Sequence, residues 1–177
     1  MTALVRPAIR RCNREDAAAL ALAGKATFLE SYAGVVDGAA IRRHCEERQT
    51  AAYYEACLAD PAHALWIAEV PPGAAPVGYL HLSPPDLPVQ TGPGDIEIKR
   101  IYLLSKFHGS GAGRALFEAA LEEARAGGRT RLLLGVYKQN AKALGFYERM
   151  GFTRVGEREF DVGGAVYEDW VLGRALG

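Results

Sequence analysis

The clearest periodicity in the chain is helical. Between Gly111 and Ala126 the apolar residues Leu116, Phe117, Ala120, Leu121 and Ala124 fall on one face of a 3.6-residue repeat. Gly127-Gly128 supplies the stop. Arg131 to Tyr137 is apolar throughout and predicts a buried strand. Ala141 to Met150 predicts a short helix with Ala143, Phe146, Tyr147 and Met150 on one side, ended by Gly151. Upstream, Asp95 to Leu103 alternates, with Ile96 and Ile98 on one face and Glu97, Lys99 and Ile101 on the other. Ala64 to Val70 and Val77 to Ser83 predict two more strands, separated by a turn from Pro71 to Pro76. Pro84 to Gly94 is a Pro/Gly-rich loop, and Phe152 to Glu159 and Ala165 to Leu172 predict two closing strands.

The first third of the chain is less regular. Pro7 to Arg11 fits a short strand. Asn13 is placed as an N-cap, with Glu15 and Asp16 in the first turn of a helix reaching about Tyr32. Gly34 to Gly38 breaks it, and Ala39 to Leu58 continues as helix, in one piece or two. Arg42, Arg43, His44, Tyr53 and Tyr54 interrupt any clean apolar stripe there.

The order is a strand, two or three helices, three strands, a helix, a strand, a helix and two strands. That is an α/β (α+β) chain with a mixed sheet, and its 177 residues suit a single domain over 1–177. Lys plus Arg and Asp plus Glu both number 21, so charge gives no reason to invoke nucleic acid or a membrane surface. No apolar run approaches the roughly 18 residues of a membrane span. The start, Met1-Thr2-Ala3-Leu4-Val5-Arg6-Pro7, has no signal-peptide core, which leads to the expectation of a cytoplasmic protein. Cys12, Cys45 and Cys57 contain no CxxC, and the four histidines show no metal-ligand spacing, so no metal is expected.

The candidate chemistry lies at Lys106-Phe107-His108-Gly109-Ser110-Gly111-Ala112-Gly113-Arg114, after a strand and opening a helix. Glycines let backbone approach a ligand closely, and a helix N-terminus offers free N–H groups to phosphate. A P-loop is excluded because no Lys-Ser or Lys-Thr follows the glycines. The dinucleotide pattern fails because Arg114 stands in place of its third glycine, and Arg131 to Tyr137 lacks the acidic residue for a ribose. The pattern [Q/R]-x-x-G-x-[G/A] is met at Gly111 and Gly113.

With Glu97-Ile98-Lys99-Arg100-Ile101-Tyr102-Leu103 before the loop and the run Asn140 to Phe152 after it, the chain resembles the GNAT superfamily of N-acetyltransferases from about Asp95 to Glu157. Lys99 to Tyr102 and Phe28 to Tyr32 look most like bacterial polyamine acetyltransferases of the spermidine/spermine type. The resemblance implies a mostly antiparallel sheet of about six or seven strands, splayed between the fourth and fifth. It also implies acetyl-CoA as cosubstrate. Its pantetheine arm would pair with main chain at Ile101, Tyr102 and Leu103. Its pyrophosphate would sit on His108, Gly109, Ser110, Gly111, Ala112, Gly113 and Arg114. His108 replaces the family's Gln/Arg and Ser110 a common basic residue, so Lys106 and Arg114 are expected to carry more of the charge.

Asn140 and Lys142 are further expected cofactor contacts; for Asn140 a plain N-cap is the compatible alternative. Tyr147 matches the tyrosine near the CoA sulfur and is the expected acid for the leaving thiolate, against the alternative of a core residue. Glu97 is the expected base, against an exposed strand Glu paired with Lys99. Transfer is expected to be direct, from acetyl-CoA to a small amine or polyamine. A protein N-terminus or lysine, or a non-catalytic acyl-CoA sensor, are the alternatives. Glu30, Glu46, Glu47, Asp161, Glu168 and Asp169 are the acids available to a polycation, and the last strands offer an edge for a homodimer.

Overall fold

The computed structural model describes residues 5–177; the first residues of the stretch inspected for a leader, 1–4, lie outside the described residues. Seven strands and five helices follow the expected order: β1 (Ala8–Arg11), α1 (Ala17–Tyr32), α2 (Gly38–Arg48), α3 (Ala51–Ala59), β2 (Ala64–Val70), β3 (Ala75–Ser83), β4 (Asp95–Leu103), α4 (Ala112–Ala126), β5 (Arg131–Tyr137), α5 (Ala141–Arg149), β6 (Thr153–Val162) and β7 (Ala165–Ala175). They form one sheet in the order β1-β2-β3-β4-β5-β7-β6. No helix of the described residues is long and apolar enough to cross a membrane.

Local chemistry explains most boundaries. Asn13 caps a 3₁₀ turn at Arg14–Asp16 that leads into α1, with Asp16 returning a bond to the Asn13 N–H. Thr50 receives the Tyr53 N–H at 3.1 Å and starts α3, which divides the second helical region in two. The closing strands are longer than predicted. Gly163 and Gly164 take φ of 61° and 92°, the tight hairpin turn that lets β6 and β7 pair from Thr153↔Gly173 to Val162↔Ala165.

One side of the sheet packs against α4 and α5, where Leu116, Phe117 and Ala120 meet Leu80, Ile98, Leu132 and Leu134. The other side packs β2 and β3 against α1 and α3 through Leu20, Tyr54, Leu65, Ile67 and Tyr79. Further along that second side, α1 and α2 meet the β6–β7 hairpin through Phe28, Ile41 and Val162.

Two departures from regularity make the site. All strand pairs are antiparallel except β4–β5, whose parallel register runs Asp95↔Arg131 to Ile98↔Leu134 and stops. Beyond it, Arg100 to Leu103 pair only with β3, and Gly135 to Tyr137 only with β7. The expected splay between fourth and fifth strands is therefore present.

The second departure is a bulge opposite His81/Leu82, which leaves Lys99 as the extra residue of β4. It overturns the strict alternation read from the sequence. Ile101 joins Ile96 and Ile98 on the α4 side, whereas Tyr102 packs with Tyr79 on the opposite side. Glu97 and Ile101 do not share a face, because one inserted residue reverses the parity of everything after it.

Candidate active site

The mouth of the splay faces the start of α4. After Leu103 the chain makes a 3₁₀ turn, Ser105–Phe107, then passes Gly109 and Gly111 at φ of 81° and 85°. Only glycine takes such angles without strain. Among the described residues the N–H groups of Gly109, Gly111, Gly113 and Arg114 donate to no protein acceptor. A Cβ built on Gly109 or Gly113 would meet nothing within 4 Å. Packing therefore does not demand glycine at 113, whereas a ligand lying against the helix N-terminus does.

Other members of the loop behave differently from expectation. The Ser110 hydroxyl donates to the Phe107 carbonyl at 2.7 Å and accepts the Ala112 N–H at 3.3 Å. Ser110 and the Ala112 N–H thus shape the loop. Arg114 turns down its own helix to Glu118, at 2.7 Å, so it brings little free charge to the loop.

The missing charge comes from elsewhere. Lys142, on the first turn of α5, donates to His108 Nδ1 at 2.7 Å. His108 must then carry its proton on Nε2, which donates to the Leu103 carbonyl at 2.8 Å. His108 is a strut joining the end of β4, the loop and α5, and Lys142 holds the cation over it. The Leu103 carbonyl keeps one lone pair for a further donor. Arg6 adds a second cation, its guanidinium 4.0 Å from where a Cβ would stand on Gly111. No sequence pattern marked Arg6; it is brought in by β1.

Asn140 accepts the Ala143 N–H at 3.1 Å and caps α5, leaving its amide NH2 available. Tyr147 is buried on α5, its ring edge-on to Phe146 and Phe152 at 5.4 and 5.7 Å. Burial, reinforced by the Tyr102 phenol, raises its pKa above that of an ordinary tyrosine. Tyr147 is therefore both a core residue and a protonated phenol beside the splay.

The opposite side of the sheet is built from side chains. Glu97 is 1% exposed and its carboxylate accepts the Asp86 N–H at 2.7 Å. Lys99 pairs with Asp86, at 3.7 Å, rather than with Glu97. Towards the β6–β7 hairpin, Arg158 Nε donates to Asp169 at 2.9 Å. A Cβ on Gly135 would lie 2.7 Å from the Arg158 guanidinium carbon, so the glycine makes room for that arginine just past the last β4–β5 pair. A glycine inside an apolar strand was the available signal for this close approach. Tyr32 of α1 reaches the Tyr102 hydroxyl at 3.5 Å, and Phe28 stacks on His44 at 3.9 Å between ring centroids.

Cys57, His63 and His81, unconnected by spacing, are brought together with one donor atom from each within 4.8 Å of the others. His63 Nδ1 and His81 Nε2 already hydrogen-bond at 2.7 Å, and the charges of Lys99 and Arg100 act on His81. A neutral imidazole pair accounts for this cluster.

The sequence pattern of the Acetyltransferase (GNAT) family matches residues 34–152. An uncharacterised N-acetyltransferase of Mycobacterium tuberculosis is 31% identical over 161 residues, 91% of this chain and 98% of that one. An uncharacterised N-acetyltransferase of Lactobacillus delbrueckii is 39% identical over 100 residues, 56% of this chain and 58% of that one. Among solved structures, the PaiA N-acetyltransferase of Thermoplasma acidophilum in complex with coenzyme A superposes with a TM-score of 0.76 at 18% identity, covering 96% of this chain and 98% of that one. Splayed strands, a glycine loop with free N–H groups and these relatives agree: the chain belongs to the GNAT family of acetyl-CoA-dependent N-acetyltransferases.

Proposed function

We infer that this protein moves the acetyl group of acetyl-CoA directly to the primary amine of a small molecule, acting in the cytoplasm. The observation that carries the reading is the open edge of Lys99 to Leu103 lying beside a helix start with four undonated N–H groups. Pyrophosphate binds such N–H groups well, and an amide-containing pantetheine pairs with an open strand edge. Ile101 then lies where its main chain can polarise the thioester carbonyl.

Tyr147 supplies the proton for the CoA thiolate. Its raised pKa keeps it protonated at neutral pH, so the phenol still holds its proton when charge builds on the sulfur as the C–S bond breaks. The thiols support direct transfer rather than an acyl-enzyme. Burial pushes Cys12 up to about 12 and also raises Cys45 and Cys57, so none is an activated nucleophile.

The geometry favours a small amine over a polycation. Glu30 is occupied by the Ser105 N–H and hydroxyl, both at 2.8 Å. Glu168 lies 3.5 Å from Lys138 and Asp169 pairs with Arg158. Glu47 and Asp161 line one hollow, but share it with Arg43 and Arg48. A polyamine needs a run of unpaired acids, and Glu168 and Asp169 are already paired with cations while Glu30 is held by Ser105.

Thiol release from acetyl-CoA, measured across small amines, polyamines and lysine-containing peptides, tests the reading. Turnover confined to small primary amines is expected. Peptides as the sole acceptors would move the function to protein acetylation. Tight CoA binding without thiol release from any amine would leave a sensor.

A further inference from the structure

An amine is protonated at neutral pH and must lose a proton before it attacks. Two buried carboxylates stand on the acceptor side of the sheet, Glu97 on β4 and Asp169 on β7. Their surroundings differ. Glu97 lies under the 84–94 loop, where Leu87 and Val89 pack on Leu133 and Val171 beside it, and the Asp86 N–H holds its Oε2. Asp169 sits opposite Tyr137 in the β5–β7 register, on the stretch of β5 that has left β4. Its Oδ2 takes the Arg158 Nε–H, and its other oxygen has no protein donor among the described residues.

We propose that Asp169, held by Arg158 over Gly135 at the mouth of the splay, is the general base that deprotonates the acceptor amine. This rests on the acetyl-transfer reading above and adds a residue to it. The ammonium gives one proton to the Asp169 carboxylate, directly or through a water. The freed lone pair forms the C–N bond at the thioester carbonyl. Collapse breaks the C–S bond, the thiolate takes the Tyr147 proton, and the nitrogen's second displaced proton restores the phenol. Asp169 then releases its proton to solvent. The sum is ammonium plus acetyl-CoA giving amide, CoA thiol and one proton.

The environment of Asp169 suits the task. Burial raises its pKa from the ordinary carboxylate value, which makes it a stronger base, and the neighbouring Arg158 opposes that rise. Arg158 comes from β6, Tyr32 from α1 with Tyr102 of β4 at its hydroxyl, Tyr137 from β5, and Tyr167 from β7 itself. Among the described residues Arg158 is the one cation in this ring, and it also disfavours a second positive charge on the amine. Asp169 in turn acts on Tyr32, which places the carboxylate near the α1 wall of the cleft. Glu97 is nearer in sequence to the donor loop, but Asp169 stands beside the stretch of β5 that has left β4.

The test is the pH profile of kcat/KM for the best small amine, measured on wild type, Asp169→Asn, Glu97→Gln and Arg158→Gln, with acetyl-CoA binding and melting temperature as controls of folding. Asp169→Asn is expected to lose about 10²-fold or more at neutral pH and to regain rate roughly tenfold per pH unit as the amine itself deprotonates. Arg158→Gln is expected to move the acidic limb to higher pH by about one unit, because Asp169 loses its cation; a merely structural ion pair would not shift that limb. If Asp169→Asn does not fold, the Arg158→Gln limb decides. An unchanged limb there, an Asp169→Asn profile within about threefold of wild type, or Glu97→Gln alone showing the loss would each overturn the assignment. Wild type that binds acetyl-CoA yet releases no thiol with any amine would overturn the acetyl-transfer reading as well.

Discussion

The two sides of the splay are built on different principles. The donor side, from Leu103 through the glycine loop to α5, offers mainly backbone: an unpaired strand edge, the N–H groups of Gly109, Gly111, Gly113 and Arg114, and the dipole of α4. The acceptor side, from α1 and α2 to the β6–β7 hairpin, offers side chains: Tyr32, His44, Tyr102, Arg158 and Asp169, drawn from five separate elements. Backbone recognition fixes a constant ligand and depends on where glycine is allowed. Side-chain recognition can change with a few substitutions while the sheet stays intact. One fold can therefore keep a single donor and vary its acceptor.

Acid should separate the two sides most strongly. Burial lowers the pKa of His81 to about 2 and of His44 to about 4, against 6.5 in an unfolded chain. His44 lies on the acceptor side and His81 against Tyr53 on the same face of the sheet, and burial favours the neutral form of both in the folded protein. The unfolded chain binds the extra protons, so stability is complete above about pH 6.5 and falls as pH drops through the window down to about 4 for His44 and about 2 for His81. Each proton taken up on unfolding costs about 1.4 kcal/mol per pH unit in that window. Urea unfolding at pH 7 and pH 5 should show the loss. His44→Phe, which keeps the stack on Phe28, should reduce the slope between pH 6.5 and about 4. An unaltered slope would mean that His44 is already protonated in the fold.

Catalysis gives the next effect. Tyr147→Phe should lower kcat by about 10²-fold if the phenol protonates the thiolate. The acetyl-CoA KM should stay put, since the ring still packs on Phe146 and Phe152. Using a thioester analogue with a more acidic leaving thiol should restore much of the rate in the variant. Equal losses with both thiols would make Tyr147 a packing residue only.

The asymmetry also decides what could be read before the structure was known. The order of strands and helices was legible because α4, β5 and α5 carry strong periodicity and end at Gly127, Gly128 and Gly151. The donor loop was legible because its chemistry is backbone, and glycine is the visible mark of backbone exposure. What failed was anything set by one extra residue or by distant contacts. The bulge at Lys99 leaves no mark in a run of alternating residues, and it moved Ile101 to the other face. The Arg114 side chain pairs with Glu118 one helical turn away, a contact the loop pattern does not mark, while its N–H stays free at the loop. Arg6 and the Arg158–Asp169 pair reach their places only through the sheet order, and Gly135 alone hinted at the latter.

A substitution in the donor loop sharpens the contrast from the other direction. Gly113→Val has room in the protein, since nothing lies within 4 Å of the new Cβ. Its branched side chain should instead occupy the space in front of the helix N-terminus. The expected result is a rise of about tenfold in the acetyl-CoA KM, equivalent to roughly 1.4 kcal/mol, with the acceptor KM unchanged. A rise in both would show that the two sides are not independent.

The smallest effect should come from Lys142→Ala. The donor side as drawn relies on backbone for shape and on Lys142 and Arg6 for charge, with His108 as the strut between them. An exposed cation near a pyrophosphate contributes modestly and is screened by salt. Loss of Lys142 should therefore raise the acetyl-CoA KM only about threefold at low ionic strength, and less in ~0.5 M salt. The His108 ring should keep its bond to the Leu103 carbonyl through Nε2, so the loop keeps its shape and kcat does not change. A salt-independent loss, or a fall in kcat, would instead mean that Lys142 orders the loop through His108. The grip on the donor would then depend on a side chain after all.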